Sequence, residues 1–190
     1  GLETSDLDGV TNVETVTLGD AATSVTTVDT LVSSEATLRV NAAALTGSNS
    51  LNLDGSAETD GAFNITGSNQ NDTIIGGGGS DTVTAGTGND TLTGNAGGDT
   101  FIFGMNLSSA DTIDGGDGSD ELQFTDSGVA TSDLDGVSNV ETVTLGDAVT
   151  SVTVKDSLVA GGQTLTLSAA NLSGTNSLTW DGSAESNGSF

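Results

Sequence analysis

The stretch GGGGSDTVTAGTGNDTLTGNAGGDTFIF, Gly76 to Phe103, decides the fold of this chain. Together with the residues just before it, it repeats an Asp-Thr-apolar triplet at intervals of nine residues. The four triplets begin at Asp72, Asp81, Asp90 and Asp99. A glycine-rich linker would not need so fixed a register, so the spacing predicts an ordered repeat.

Each nine-residue unit divides into a glycine-rich turn and a short strand. Glycine supplies the positive φ angles that a tight turn needs, and an Asp at the sixth position closes the turn. Carbonyl and carboxylate oxygens together are the ligands that calcium prefers. The residues after each Asp predict a strand with one apolar side chain pointing inward, at Ile74, Val83, Leu92, Phe101 and Leu122.

Two nonapeptides predict one flat coil, so every second triplet should stack, as Asp81 over Asp99. The segment 104–110, GMNLSSA, interrupts the repeat. The two later triplets begin at Asp111 and Asp120, and each comes three positions later than strict stacking on Asp90 and Asp99 would place it. The equal excess predicts a local bulge that leaves the stacking intact.

Stacked acids at this spacing need a cation. Coils lie about 4.8 Å apart, and two carboxylates at about 5 Å repel by roughly 3 kcal/mol at an effective dielectric constant near 20. Several such pairs would remove a typical stability of about 5–15 kcal/mol. A divalent cation reverses the sign, so we expect folding of this segment to be coupled to calcium.

The repeat resembles the calcium-binding nonapeptide of the RTX family, G-G-x-G-x-D-x-U-x, over residues 67–123. The resemblance implies calcium as the cofactor, with side-chain ligands from the sixth-position acids and carbonyl ligands from the turns. The implied carboxylate ligands are Asp72, Asp81, Asp90, Asp99, Asp111 and Asp120. The implied carbonyl ligands are Gly76, Gly77, Gly78, Gly79, Gly86, Gly88, Asn95, Gly97, Gly116 and Gly118.

Three positions depart from the motif or exceed it. The turn GSNQND before Asp72 lacks the second and fourth glycines, and Asp111 follows LSSA rather than a glycine turn, so less regular sites are expected there. Gly78 stands where the motif accepts any residue, so alanine should be tolerated if its φ is negative. Outside the nonapeptides, Asp54 and Glu58 recur in a second DGSAE as Asp181 and Glu185; turn hydrogen bonds are favoured over cation binding for them.

A longer repeat encloses the short one. Residues 1–63 and 128–190 are identical at 41 of 63 positions, with a constant offset of 127. The offset predicts a β-solenoid half of unit 1 at 1–66, a calcium β-roll half at 67–127, and the solenoid half of unit 2 at 128–190. We expect the chain to be a window from a longer tandem array.

Short segments outside the nonapeptides alternate apolar and polar residues, as in VETVTL, TLRVNA, SLNLDG and FNITGS. Their spacing also suits a β-sandwich, but about 63 residues per half is short for one. A right-handed parallel β-solenoid fits better, because each coil buries its apolar residues against its neighbours.

The composition narrows the functions. The chain has 27 acidic and 2 basic residues and a net charge of −25, which disfavours nucleic acid as a partner and favours a cation. The chain has no His or Cys, so the usual general base and thiol nucleophile are missing and no enzyme is expected. It also has no apolar run long enough for a membrane span.

The favoured function is a calcium-stabilised structural repeat of a secreted or cell-surface protein, such as an adhesin stalk, surface layer or filament, whose units continue end to end or self-associate. The alternative is a calcium module attached to a secreted enzyme, such as a protease, lipase or polysaccharide epimerase. A third possibility is a binding surface made of threonine rows, which a flat regular ladder would favour. The RTX resemblance implies export by a type I system.

Overall fold

The fold is all-β in a computed structural model that describes residues 2–3, 5–125, 129–130, 132–148, 150–155, 157–159 and 162–190. One 3₁₀ turn, Asp133–Gly136, is the exception among these residues. Eight strands form the larger sheet, in the order β1 (Thr15–Thr17), β3 (Thr37–Asn41), β5 (Ala62–Thr66), β7 (Thr82–Thr84), β10 (Thr100–Phe103), β13 (Glu121–Phe124), β15 (Thr142–Thr144) and β17 (Thr166–Ser168).

The second sheet has six strands, in the order β14 (Val137–Ser138), β11 (Thr112–Asp114), β8 (Thr91–Thr93), β6 (Thr73–Ile75), β4 (Leu51–Asp54) and β2 (Thr23–Thr26). Two strand pairs complete the fold, β9 (Ala96–Gly97) with β12 (Asp117–Gly118), and β16 (Thr150–Thr153) with β18 (Leu178–Asp181). Every pair of these strands is parallel, which excludes an antiparallel sandwich and confirms the predicted parallel solenoid.

The strand register confirms the predicted stacking. Val83 on β7 pairs with Phe101 on β10, two nonapeptides later, and Phe101 pairs with Leu122 on β13, across the interruption. The interruption at 104–110 therefore adds three residues to a turn without shifting the ladder. Coils outside the nonapeptides are longer, since Val40 pairs with Ile65.

The core lies between the two sheets. The larger sheet contributes one inward column, whose register partners follow one another as Val16, Val40, Ile65, Val83, Phe101, Leu122, Val143 and Leu167. The opposite column runs Val25, Leu53, Ile74, Leu92, Ile113 and Val137. The five apolar residues predicted to point inward are all at most 2% exposed, so this prediction is confirmed.

The two sheets run through the predicted divisions at 66 and 127. Strand β5 pairs with β7 across the first division, and β13 pairs with β15 across the second. The division of the chain into three segments stays a prediction, because the strand ladders continue across both boundaries.

The outward face of the larger sheet does not form a regular threonine row. Its main column consists of Thr15, Arg39, Asn64, Thr82, Thr100, Glu121, Thr142 and Thr166. Three other residue types interrupt it, which counts against a binding surface made of threonine alone.

Candidate metal centre

Turns stack along both edges of the nonapeptide region, where the chain passes from one sheet to the other. We call the stack of turns 76–81, 94–99 and 115–120 the glycine edge, and the stack of turns 67–72, 85–90 and 104–111 the serine edge. Each turn ends on an Asp that directly precedes a strand. All six of these predicted ligands, at 72, 81, 90, 99, 111 and 120, are at most 2% exposed.

The carboxylates of the glycine edge form a ladder. The backbone N–H of Asp81 donates to Asp99 Oδ1 at 2.7 Å, and the N–H of Asp99 donates to Asp120 Oδ1 at 2.8 Å. Each carboxylate is therefore held against the backbone of the preceding coil. The same arrangement links Asp72, Asp90 and Asp111 on the serine edge, at 2.8 and 2.7 Å.

Two carboxylates of the serine edge are saturated by protein donors. Ser68 donates its N–H to Asp72 Oδ2 at 2.6 Å and its hydroxyl to Oδ1 at 2.8 Å. Ser108 donates its N–H and hydroxyl to Asp111 Oδ2 at 2.8 and 3.1 Å. These are the two turns that depart from the glycine motif and for which the sequence predicts less regular sites. In both turns, a serine donates hydrogen bonds to the Asp carboxylate.

Two carboxylates of the glycine edge carry an oxygen without any donor. Asp99 Oδ2 and Asp120 Oδ2 are buried and accept no hydrogen bond. A Cβ built on Gly94 would collide with both Asp99 Oδ2 and the carbonyl oxygen of Gly115, so these two oxygens face one space. Since neither oxygen can donate, this pair needs a proton, a water molecule or a cation to satisfy it.

The ionisation of these acids is strongly affected. Burial raises the pKa of Asp99 and of Asp90 to about 7, against the lowering effect of the backbone N–H that each accepts, and neighbouring carboxylates raise it further. Burial likewise raises the pKa of Asp81 to about 6 and raises the pKa of Asp120. Buried carboxylates that repel one another favour a bound cation.

Close approach of the turns explains the glycines. Gly97 has φ 123°, and a Cβ there would lie 2.5 Å from the carbonyl oxygen of Gly79 in the preceding coil. Gly78 does not have a positive φ, but a Cβ there would collide with the carbonyl oxygen of Thr59. A suitable φ alone therefore does not make alanine tolerable at Gly78, because the backbone of the stacked coil leaves no room for the side chain.

The predicted carbonyl ligands lie in these turns. Gly76, Gly77, Gly78, Gly79, Asn95, Gly97, Gly116 and Gly118 are on the glycine edge, and Gly86 and Gly88 are on the serine edge. Some of these carbonyls accept hydrogen bonds: Gly76 from Asn95 Nδ2 at 2.8 Å, and Asn95 from the Asp117 N–H at 2.6 Å. Their role as calcium ligands stays a prediction.

The donor set fits calcium. Among the described residues, no group of three or more His, Cys, Asp or Glu side chains is placed to hold a metal ion. A calcium site here would combine one or two carboxylates with backbone carbonyls, the all-oxygen set that suits a hard cation. The unpartnered oxygens of Asp99 and Asp120 supply the negative charge for it.

Comparison with protein families agrees with this geometry. A family model of the RTX calcium-binding nonapeptide repeat matches residues 65–104 and 107–123, in four copies. This segment of the chain belongs to the RTX repeats. The gap between the two matched RTX ranges falls within the interruption at 104–110. Neither curated proteins nor solved structures gave a match to the chain.

RTX repeats bind calcium, and the segment is therefore a calcium-binding structural module. Such repeats are typical of secreted proteins. In the part of the chain that the structure describes, no helix has the length and hydrophobicity to cross a membrane.

Sequence reasoning missed that Glu141 continues the carboxylate ladder of the glycine edge and that Glu58, for which the sequence favours turn hydrogen bonds, is buried. Glu58 is 1% exposed and accepts the N–H of Val32 at 3.2 Å and of Gly61 at 3.0 Å, while Glu141 accepts the N–H of Asp120 at 2.8 Å. The favoured turn chemistry is observed for Asp54, which accepts the N–H of Ser56 at 3.1 Å. A search for an acid directly before each strand would have found Glu141.

Proposed function

We propose that the chain is a calcium-stabilised structural repeat of a secreted or cell-surface protein, which adds length to a stalk, filament or surface layer. The observation that carries the proposal is the pairing of β13 with β15, Leu122 opposite Val143. This ladder joins the RTX half of the first unit to the second unit by the same contacts that join coils within a unit. Units connected in this way extend along one axis instead of folding back.

The length that a unit adds follows from the strand order. Strands β1 and β15 occupy equivalent positions in the two units, and six strand-to-strand steps separate them in the larger sheet. At about 4.8 Å per step, each unit adds about 29 Å.

Export by a type I system and end-to-end continuation of units are part of this proposal. The support is the RTX match together with the ladder that passes from one unit into the next. The chain itself is proposed to be non-enzymatic, supported by a sequence without His or Cys. The RTX match is equally compatible with a module attached to a secreted enzyme, and the second unit favours the structural role.

Small-angle X-ray scattering tests the proposal. The chain is compared with a version lengthened by one further repeat unit, a second copy of the segment 1–127, each in calcium and in chelator. In calcium, the maximum dimension should grow by about 29 Å at constant cross-section. Growth of the cross-section at constant length would contradict the proposal.

A further inference from the structure

The carboxylate ladder of the glycine edge continues beyond the RTX repeats. In the last two RTX coils, the N–H of Asp99 donates to Asp120 Oδ1 at 2.8 Å. In the next coil, the N–H of Asp120 donates to Glu141 Oε2, also at 2.8 Å. Glu141 lies outside the matched residues and belongs to the second long repeat unit, yet it takes the place that an Asp has in the coils before it.

The turn that carries Glu141 is short. Asp114 pairs with Ser138 and Glu121 with Thr142, so three residues, 139–141, cover a turn of six residues, 115–120. Asn139 has φ 51°, and its side-chain amide donates to Asp114 Oδ1 at 2.7 Å. This conformation fixes the direction of the backbone at the point where the turn passes Gly115.

Two acceptor oxygens meet beside Gly115. A Cβ built there would collide with the carbonyl oxygen of Asn139 and would lie 2.7 Å from Asp120 Oδ2. Asp120 is 1% exposed, and its Oδ2 has no hydrogen-bond partner. The same geometry recurs one coil earlier, where Asp99 Oδ2 and the Gly115 carbonyl oxygen face the space beside Gly94.

We propose that a calcium ion binds at this junction, held by the carboxylates of Asp120 and Glu141 and by the carbonyl oxygen of Asn139. The inference rests on the calcium-stabilised role proposed above. These residues supply three hard oxygen ligands from two chain segments, one of them a buried carboxylate oxygen without a donor, toward the about six to eight oxygens that calcium takes. The ion ties the RTX half of one unit to the solenoid half of the next.

The chain contains its own control for Glu141. Glu14 occurs in the same VETVTL context of the first unit, and it is exposed. Among the described residues, no RTX turn stacks against Glu14. Glu141→Gln keeps the oxygen that accepts from Asp120 but removes the charge, so a purely structural role of Glu141 is retained in this variant.

Calcium stoichiometry decides between these roles. The wild-type chain, Glu141→Gln and Glu14→Gln are compared by equilibrium dialysis against radioactive calcium and by calorimetric titration. Glu141→Gln should bind one calcium ion fewer than the wild type, and Glu14→Gln should bind the same number. An unchanged stoichiometry and affinity in Glu141→Gln would overturn the junction site and leave the calcium-stabilised role intact.

Two further outcomes are distinguishable. If the wild-type chain binds no calcium, the proposed function itself is wrong, and the junction site with it. If Glu141→Gln does not fold in calcium, a crystal structure of the calcium-loaded wild type decides. An ion should then lie about 2.3–2.6 Å from a Glu141 carboxylate oxygen; a Glu141 carboxylate remote from every ion overturns the inference.

Discussion

Replacing Asp99 by Asn should change stability with opposite sign in chelator and in calcium. The amide oxygen of Asn can still accept the N–H of Asp81, which Asp99 Oδ1 accepts at 2.7 Å. The amide nitrogen takes the place of the unpartnered Oδ2 and faces the carbonyl oxygen of Gly115. Without calcium, the substitution removes a buried charge and supplies a donor; with calcium, it removes a ligand.

The magnitude follows from the pKa of Asp99. Burial raises this pKa from 3.8 to about 7, and a difference of that size corresponds to about 4 kcal/mol of cost to the ionised form. At pH 8 in chelator, Asp99→Asn should therefore stabilise the chain by about 2–4 kcal/mol. In calcium at about 10,000 times Kd, the wild type gains about 5.5 kcal/mol that the variant lacks. This exceeds the gain of the variant in chelator, so in calcium the variant should be less stable than the wild type by about 1.5–3.5 kcal/mol.

Thermal unfolding followed by far-ultraviolet circular dichroism measures both effects. For a chain of this size, each kcal/mol moves Tm by about 2–4 °C. If the chelated wild type shows no transition, the β-sheet signal of Asp99→Asn at low temperature should exceed that of the wild type. Equal destabilisation in chelator and in calcium would refute the assignment of Asp99 Oδ2 to a cation.

The matched control is Asp72→Asn on the serine edge. Asp72 accepts two hydrogen bonds from Ser68 and one from the Leu51 N–H at 2.8 Å. An amide nitrogen would face a donor there, so the variant should lose about 1–3 kcal/mol in chelator. In chelator, Asp72→Asn should therefore lower the stability of the chain, whereas Asp99→Asn should raise it.

Three further predictions concern pH, backbone stacking and local opening. In chelator, the stability of the chain should fall as pH rises from about 4 to about 7. The raised pKa values of Asp90 and Asp99 mean that the folded state binds more protons than the unfolded state over this range. Denaturant titrations at several pH values measure this slope, and a rise of stability with pH would contradict the prediction. Gly97→Ala should lower the stability of the chain by several kcal/mol, because its Cβ would lie 2.5 Å from the Gly79 carbonyl oxygen at a φ of 123°. Gly19→Ala is the control: its Cβ would meet no atom within 4 Å, so Tm should hardly change in the same thermal melts. Hydrogen exchange should show calcium-dependent protection in the turns 94–99 and 115–120 and calcium-independent protection at the Ser68 amide; uniform protection of both edges would count against their difference.

The sequence was sufficient for the register of the RTX coils. A nine-residue period with one apolar position per unit admits only one stacking, and the column from Val83 through Phe101 to Leu122 follows it. The three extra residues in the interruption were equally predictable, because both later Asp residues shift together. The parallel solenoid outside the RTX coils followed from alternation and from the size of each half.

The two glutamates outside the nine-residue period differ in how far spacing could assign them. Glu141 lies 21 residues after Asp120, the same interval that separates Asp120 from Asp99, so extending this interval would have found it. Glu58 lies in a longer coil and accepts the N–H of Val32 instead of the N–H of an Asp. Spacing also showed where glycines were missing, but not that Ser68 and Ser108 satisfy the neighbouring acids instead.

The charge balance explains why calcium, and not ion pairing, must stabilise this solenoid. The chain carries a net charge of −25, and its two basic residues are Arg39 and Lys155. Lys155 pairs with Asp135 at 3.0 Å at an exposed position, where such a pair contributes about 1 kcal/mol or less. The buried acids of the glycine edge have no basic partner within the sequence to neutralise them, and stacking more units adds more acids. In the array that we propose, we therefore expect each added unit to bind further calcium and the rigidity of the array to depend on the calcium concentration around it.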